Sequence, residues 1–187
     1  MFKDVKEPAQ GKLLIAEPLM KDDFFKRSVI LLSEHDEKGS VGFILNKITD
    51  VKLNEVVKDF PDFDAPLYYG GPVDSDMLFY IHKLGDRLKD SREIMDGIYW
   101  GGDYDQLKFL IDTHQVNPNE IRFYVGYSGW TPNQLDEELK ENSWMVGDSK
   151  IDFTFYNDAA SLWSKVLRSM GTEYAMLANY PEDPTWN

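Results

Sequence analysis

The chain has 187 residues, of which 42% are hydrophobic and 14% aromatic; this suits one domain with a sizeable core and excludes a disordered segment. Twenty basic against thirty-three acidic residues leave a net charge of −13, which disfavours nucleic-acid binding, since its affinity comes from Lys and Arg displacing counterions at phosphates. There is no cysteine, which removes disulfides, thiolate nucleophiles and cysteine-ligated zinc together. No apolar run is long enough to span a bilayer, and Met1–Gln10 lacks the apolar stretch of a signal peptide, so a cytoplasmic location is expected.

Lys12–Ala16 opens the fold as a short strand ended by Pro18. Asp22–Lys26 is a polar and aromatic turn. Ser28–His35 is rich in β-branched and apolar residues and predicts a buried strand. Asp36–Ser40 is a turn, and Val41–Asn46 pairs back as the second arm of a hairpin. Leu53, Val56, Val57 and Phe60 have helical spacing, and Pro61 stops that helix. Asp62–Pro66 is loop, Leu67–Tyr69 a strand ending in Gly70-Gly71-Pro72, and Met77–His82 another strand. Leu84–Asp96 is charged and aperiodic and reads as a mobile loop. Ile98–Trp100 is extended and closes on Gly101-Gly102.

Asp103 caps a helix with Gln106 at its third position and Leu107, Leu110, Ile111 and His114 on one face. Asn117-Pro118-Asn119 ends it. Ile121–Val125 is a strand that breaks at Gly126 and Gly129 and turns into a helix. Thr131 caps that helix, Pro132 sits at its first position and Gln134 returns a hydrogen bond. Trp144–Val146 and Ile151–Phe155 are the last extended pieces. Asp158 caps a final helix carrying Leu162, Trp163, Val166, Leu167 and Met170 inward, closed by Gly171. Residues 172–187 are expected to be a loosely packed tail of a single 1–187 domain. Strands and helices mix without regular βαβ alternation, which predicts an α+β fold.

Gly126-Tyr127-Ser128-Gly129 nearly spells a nucleophile elbow in a strand–turn–helix context. It fails twice: Trp130 stands where that motif has glycine, and no histidine follows Ser128. His35, His82 and His114 have no spacing that gathers them into a metal site, and no metal or cofactor is expected. Gly101-Gly102 precedes a helix, but no Lys or Ser/Thr follows in the phosphate-loop pattern and Asp103 would repel phosphate. Asn46 ends an apolar strand and Arg122 interrupts another. Each needs partners if buried, by default Glu34, Asp74 or a backbone carbonyl, or else a ligand in a pocket.

Gly11–Pro18, Phe25–His35, Gly42–Asn46, Tyr69–Val73, Ile81-His82, Gly126–Trp130, Gln134-Leu135 and Glu138 together resemble the YqgE/AlgH family of uncharacterised bacterial proteins, in the family's order. Where members usually carry glycine before the Gln-Leu pair, this chain has Asn133. The resemblance implies a mixed, bifurcated β-sheet curled into a pseudo-barrel with flanking α-helices, and no agreed activity. One branch of the family is named as a regulator of alginate synthesis and is often labelled a transcriptional regulator. No basic helix-turn-helix is visible here.

The expected function is therefore non-enzymatic, with a regulatory or protein-interaction role and an unknown protein or small-molecule partner. The alternative is a small-molecule binder or hydrolase using a cleft near the glycine corners. His35, Asn46, Arg122 and Ser128 are the candidate ligand or pocket residues.

Overall fold

The computed structural model describes residues 6–181. Ten strands run through them: β1 (Lys12–Ala16), β2 (Val29–Asp36), β3 (Gly39–Ile44), β4 (Ile48–Lys52), β5 (Pro66–Tyr69), β6 (Val73–His82), β7 (Arg92–Met95), β8 (Ile98–Trp100), β9 (Ile121–Trp130) and β10 (Trp144–Asp148). The helices are α1 (Leu53–Val56), α2 (Tyr104–Asp112), α3 (Gln134–Lys140), α4 (Ile151–Thr154), α5 (Ala159–Ser169) and α6 (Thr172–Leu177). The strands form one sheet in the order β10-β1-β2-β3-β9-β6-β8-β7, with β5 joined to β9 and β4 to β5. Every pairing is antiparallel except β5 on β9. The end strands β10 and β7 do not pair with each other, so the ladder is open.

The sheet branches at β9. One edge of this ten-residue strand pairs with β6. The other edge takes β5 at Phe123–Val125 and β3 at Ser128–Trp130. Gly70 sits in the fork between them. Its N–H donates to the Val125 carbonyl at 2.9 Å, while its own carbonyl accepts from the Ile44 N–H and the Ser128 hydroxyl, each at 3.0 Å. The backbones meet too closely for side chains. A Cβ on Gly126 would lie 2.3 Å from the Gly71 carbonyl oxygen, and one on Gly70 would lie 2.3 Å from the Gly126 carbonyl oxygen. Gly126 also has φ +68°, in the region glycine adopts without steric penalty.

Three buried clusters flank this sheet, which explains why β1 and β2 read as unbroken apolar runs. Leu13, Ile15, Val29 and Leu31 face α5, whose Leu162, Trp163, Val166 and Leu167 pack on them. The alternate residues Leu14, Ala16, Ile30 and Leu32 face Leu135 of α3. On β9, Ile121 and Phe123 meet Leu107, Leu110 and Ile111 of α2, while Tyr124 faces the α5 side. Asp103 and Asp158 cap α2 and α5 as expected, accepting from Gln106 N and Ser161 N.

Several sequence expectations are corrected. The strand expected to break at Gly126 continues to Trp130, because a positive φ at Gly126 bends it without ending it. Gln134 does return a hydrogen bond to the Thr131 N–H, but α3 starts only at Gln134, after Asn133 in the left-handed region. Ile151–Phe155 is not extended: the Phe153 N–H bonds the Lys150 carbonyl and the Phe155 N–H the Ile151 carbonyl, and α4 turns Phe153 into the core. The helix expected to reach Phe60 is one turn, since α1 buries only Leu53 and Asp59 has φ +60°. β4, which has little buried surface, was not expected at all. His114 is exposed rather than on the inner face of α2. Of the expected tail, Thr172–Leu177 is helical and Ala178 is buried, while residues 182–187 lie outside the described residues.

The segment Leu84–Asp96 is also ordered: it holds a 3-10 turn at Gly85–Arg87 and then β7, with Leu84, Leu88 and Ile94 buried. Fully buried His82 pins its start. Its Nδ1 accepts from the Leu84 N–H at 3.2 Å and its Nε2 lies 2.8 Å from the Gly101 carbonyl, which fixes the neutral tautomer with the proton on Nε2. Burial lowers the imidazole pKa below its ordinary 6.5, although the bond to Gly101 acts in the opposite direction.

Two outcomes follow from these contacts. Gly126→Ala should lose on the order of 3 kcal/mol in urea unfolding, from a strained φ plus a backbone clash. Gly101→Ala has nearly the same φ, +67°, but nothing within 4 Å of its Cβ, and should lose only about 1 kcal/mol. Equal losses would show that the fork is not tightly packed. As pH falls below 6.5, the unfolded chain binds a proton at residue 82 before the folded protein does. Stability contributed by neutral His82 is thus present above that pH and is lost on acidification. His82→Gln should flatten this part of the stability–pH curve, and an unchanged slope would remove His82 as its source.

Candidate functional site

The four candidate residues do not meet at one site. Ser128 is fully buried, and its hydroxyl donates to the Gly70 carbonyl. No histidine bonds it among the described residues. Asn46 bridges the start of β2: its Oδ1 accepts from the Val29 N–H and its Nδ2 donates to the Arg27 carbonyl, both at 2.9 Å. Both ends of that amide are therefore used within the protein.

Arg122 is 5% exposed on the α5 side of β9. Its Nη2 donates to the Tyr156 carbonyl at 2.5 Å, and its guanidinium lies 4.7 Å from the Tyr68 ring centroid and 5.8 Å from that of Phe155. The partner is thus a backbone carbonyl, one of the expected options. Glu34 instead pairs with Arg92, at 3.2 Å. Nη1 of Arg122 and the buried hydroxyls of Tyr124 and Thr154 have no hydrogen-bond partner among the described residues.

His35 lines a hollow that opens on the surface. This hollow, of about 340 Å³, lies between the β2–β3 turn and the start of α3. His35 Nδ1 is hydrogen-bonded to Ser40 Oγ at 2.7 Å, because the two residues face each other across the β2–β3 pairing. Asp36, Glu37, Thr131 and Asp136 line the rest. An imidazole on a hydroxyl is the first half of a nucleophile pair, but no carboxylate bonds the other ring nitrogen among the described residues to orient it. Ser40 is also 4% exposed. The three histidines are apart: His82 is bonded to Gly101, His114 is exposed, and no group of three or more His, Cys, Asp or Glu among the described residues could hold a metal ion.

Behind this hollow, Glu138 joins three elements. Its Oε2 accepts from the indole N–H groups of Trp130 and Trp144, each at 2.8 Å, and its Oε1 from Gln134 at 2.9 Å. The two indoles cross edge to face at 5.9 Å. One carboxylate thus ties α3 to β9 and β10. Neither Ser40 nor the double role of Glu138 was foreseen from sequence. The pairing of Ser40 with His35 could have been read from hairpin register, whereas Glu138 needed β9 and β10 in place.

Residues 13–175 match the AlgH-like family. A UPF0301 protein from Chlorobium limicola is 46% identical over 187 residues, covering all of both chains. Another from Cytophaga hutchinsonii is 45% identical over 180 residues, covering 95% of this chain and 98% of its own. Among solved structures, the AlgH protein from Pseudomonas aeruginosa aligns with a TM-score of 0.75 at 26% identity, covering 97% of this chain and 98% of that one. Protein DIP2367 from Corynebacterium diphtheriae shares the fold with a TM-score of 0.77 at 23% identity, covering 96% and 100%. The chain described here belongs to the AlgH-like, or YqgE/AlgH, family.

Proposed function

We propose that this protein acts by binding rather than by catalysis, in a regulatory or protein-interaction role in the cytoplasm. Ser128 carries the non-enzymatic part: the hydroxyl most like a nucleophile in the sequence is buried and bonded to the Gly70 carbonyl. Edge strand β4 supports an interaction role. It pairs on one side only, and Ile48 and Val51 are exposed on it, with Val56 of α1 beside them. The net charge of −13 disfavours direct DNA binding, so any transcriptional effect would run through another molecule.

The same proposal takes residues 1–187 as one domain and the curled sheet as a pseudo-barrel. The Arg92–Glu34 ion pair, and bonds from Gln10 Nε2 to the Glu93 and Ile94 carbonyls, draw β7 toward β1 and β2. A second reading is favoured by one observation only, the His35–Ser40 bond in an open hollow, and would make that hollow a small-molecule or hydrolytic site.

Nitrophenyl ester and nitrophenyl phosphate assays separate the two. The binding role predicts turnover at the buffer rate for the wild type, Ser40→Ala, His35→Ala and Ser128→Ala alike. Turnover that disappears in Ser40→Ala or His35→Ala would establish the hydrolytic reading instead. A pulldown from native lysate should lose its partner in the Ile48→Lys, Val51→Lys double variant, and retention of that partner would move the interface elsewhere.

A further inference from the structure

A second hollow, of about 740 Å³, opens where α4 and the side of α5 from its Asp158 cap to Ser169 meet the residue after β6, Lys83. Lys83, Lys150 and Lys165 line it, and none of the three forms an ion pair among the described residues. Each ammonium is instead held over an aromatic ring: Lys83 over Phe155 at 4.1 Å, Lys165 over Tyr156 at 4.3 Å and Lys150 over Phe153 at 5.7 Å. Such contacts restrict where the ammonium groups lie but do not neutralise them.

A fourth cation lies below. Buried Arg122 contacts the Phe155 ring and donates to the Tyr156 carbonyl, and both of those residues line the hollow. No carboxylate bonds Arg122 among the described residues, and its Nη1 has no partner. The acids at the hollow are Asp152 and Asp158. The Asp158 carboxylate is occupied in capping α5, where it accepts from Ser161 N and Ser161 Oγ. In a chain of net charge −13, this one concavity therefore holds more cations than acids.

We propose that this hollow binds a small phosphate-bearing anion. Its size is that of a small-molecule site. Lysine presents a point charge with three rotatable donors, which suits the evenly spread oxygens of phosphate. Low-dielectric walls and the buried Arg122 charge beneath strengthen the local positive field. The assignment goes beyond the interaction role proposed above and does not depend on it. If the lysines only cover aromatic surface, the hollow has no affinity for anions.

Titration of the full chain with inorganic pyrophosphate at about 50 mM salt, followed by backbone amide shifts in NMR, tests the assignment. Saturable shifts are expected at Lys83, Lys150–Asp158 and Lys165, weakening as salt is raised. The Lys83→Ala, Lys165→Ala double variant should bind about tenfold more weakly or worse, with its thermal midpoint unchanged in the absence of ligand. Lys165→Glu, a charge reversal at an exposed helical position, should abolish binding and serves if the double variant folds poorly. Absence of saturable shifts overturns the proposal, as does binding that survives Lys165→Glu. Equal affinity for citrate and pyrophosphate overturns the assignment to phosphate.

Discussion

The carbonyl and amide of Gly70 hold together the point at which the sheet divides. Strand β9 offers a single free edge to two different strands, and Gly70 bonds to β9 on one side and to β3 on the other. Glycine is needed at 70, 71 and 126 because peptide groups occupy the space where side chains would go. The resulting branch places α5 and α6 on one side and α2 and α3 against other faces, each over its own buried cluster. It also decides the fate of Ser128. A hydroxyl two residues beyond the bend points into the fork and satisfies the second lone pair of the Gly70 carbonyl. The hydroxyl of the near-match to a nucleophile elbow is thus held on a backbone carbonyl of the fork.

The polar interior largely follows the rule that buried donors find acceptors, with six side-chain atoms as exceptions among the described residues. Asn46, Ser128, His82, Trp163 and the two indoles on Glu138 are all satisfied, most of them by backbone carbonyls or one carboxylate. Of the exceptions, Arg122 Nη1, Tyr124 Oη and Thr154 Oγ1 are carried by β9 and α4, beside the lysine-lined hollow, and Ser149 Oγ lies just before α4, whereas Arg27 Nε and Ser28 Oγ stand ahead of β2. Burial raises the Tyr124 phenol pKa well above the ordinary range although Arg122 acts against it, so this phenol stays neutral. A buried guanidinium with one carbonyl partner is costly to the fold.

The strands buried on both faces were legible in the sequence. Lys12–Ala16 and Ser28–His35 are apolar without alternation, and only a doubly covered strand tolerates that. The Asp103 and Asp158 caps were legible because capping is local chemistry. What failed was decided by distant partners. Ile151–Phe155 alternates like a strand, yet the backbone coils because Phe153 has a place waiting beneath α5. Leu84–Asp96 lacks a period because its buried residues divide between two clusters, Leu84 and Leu88 packing with α2 and Ile94 on the α5 side. The bend at Gly126 is compatible with ending a strand or continuing it, and the approach of Gly71 settles the matter. At the candidate site, His35 was flagged but its partner Ser40 was not. The lysines were invisible as a group because they come from three separated segments.

Native-state amide hydrogen exchange at Gly70 and Ile44 reads the fork most directly. If the sheet depends on it, both amides exchange only through global unfolding, with the protection of the Phe123 and Tyr124 amides in β9. Exchange of Gly70 and Ile44 through low-energy local opening, while β9 remains protected, would contradict that dependence.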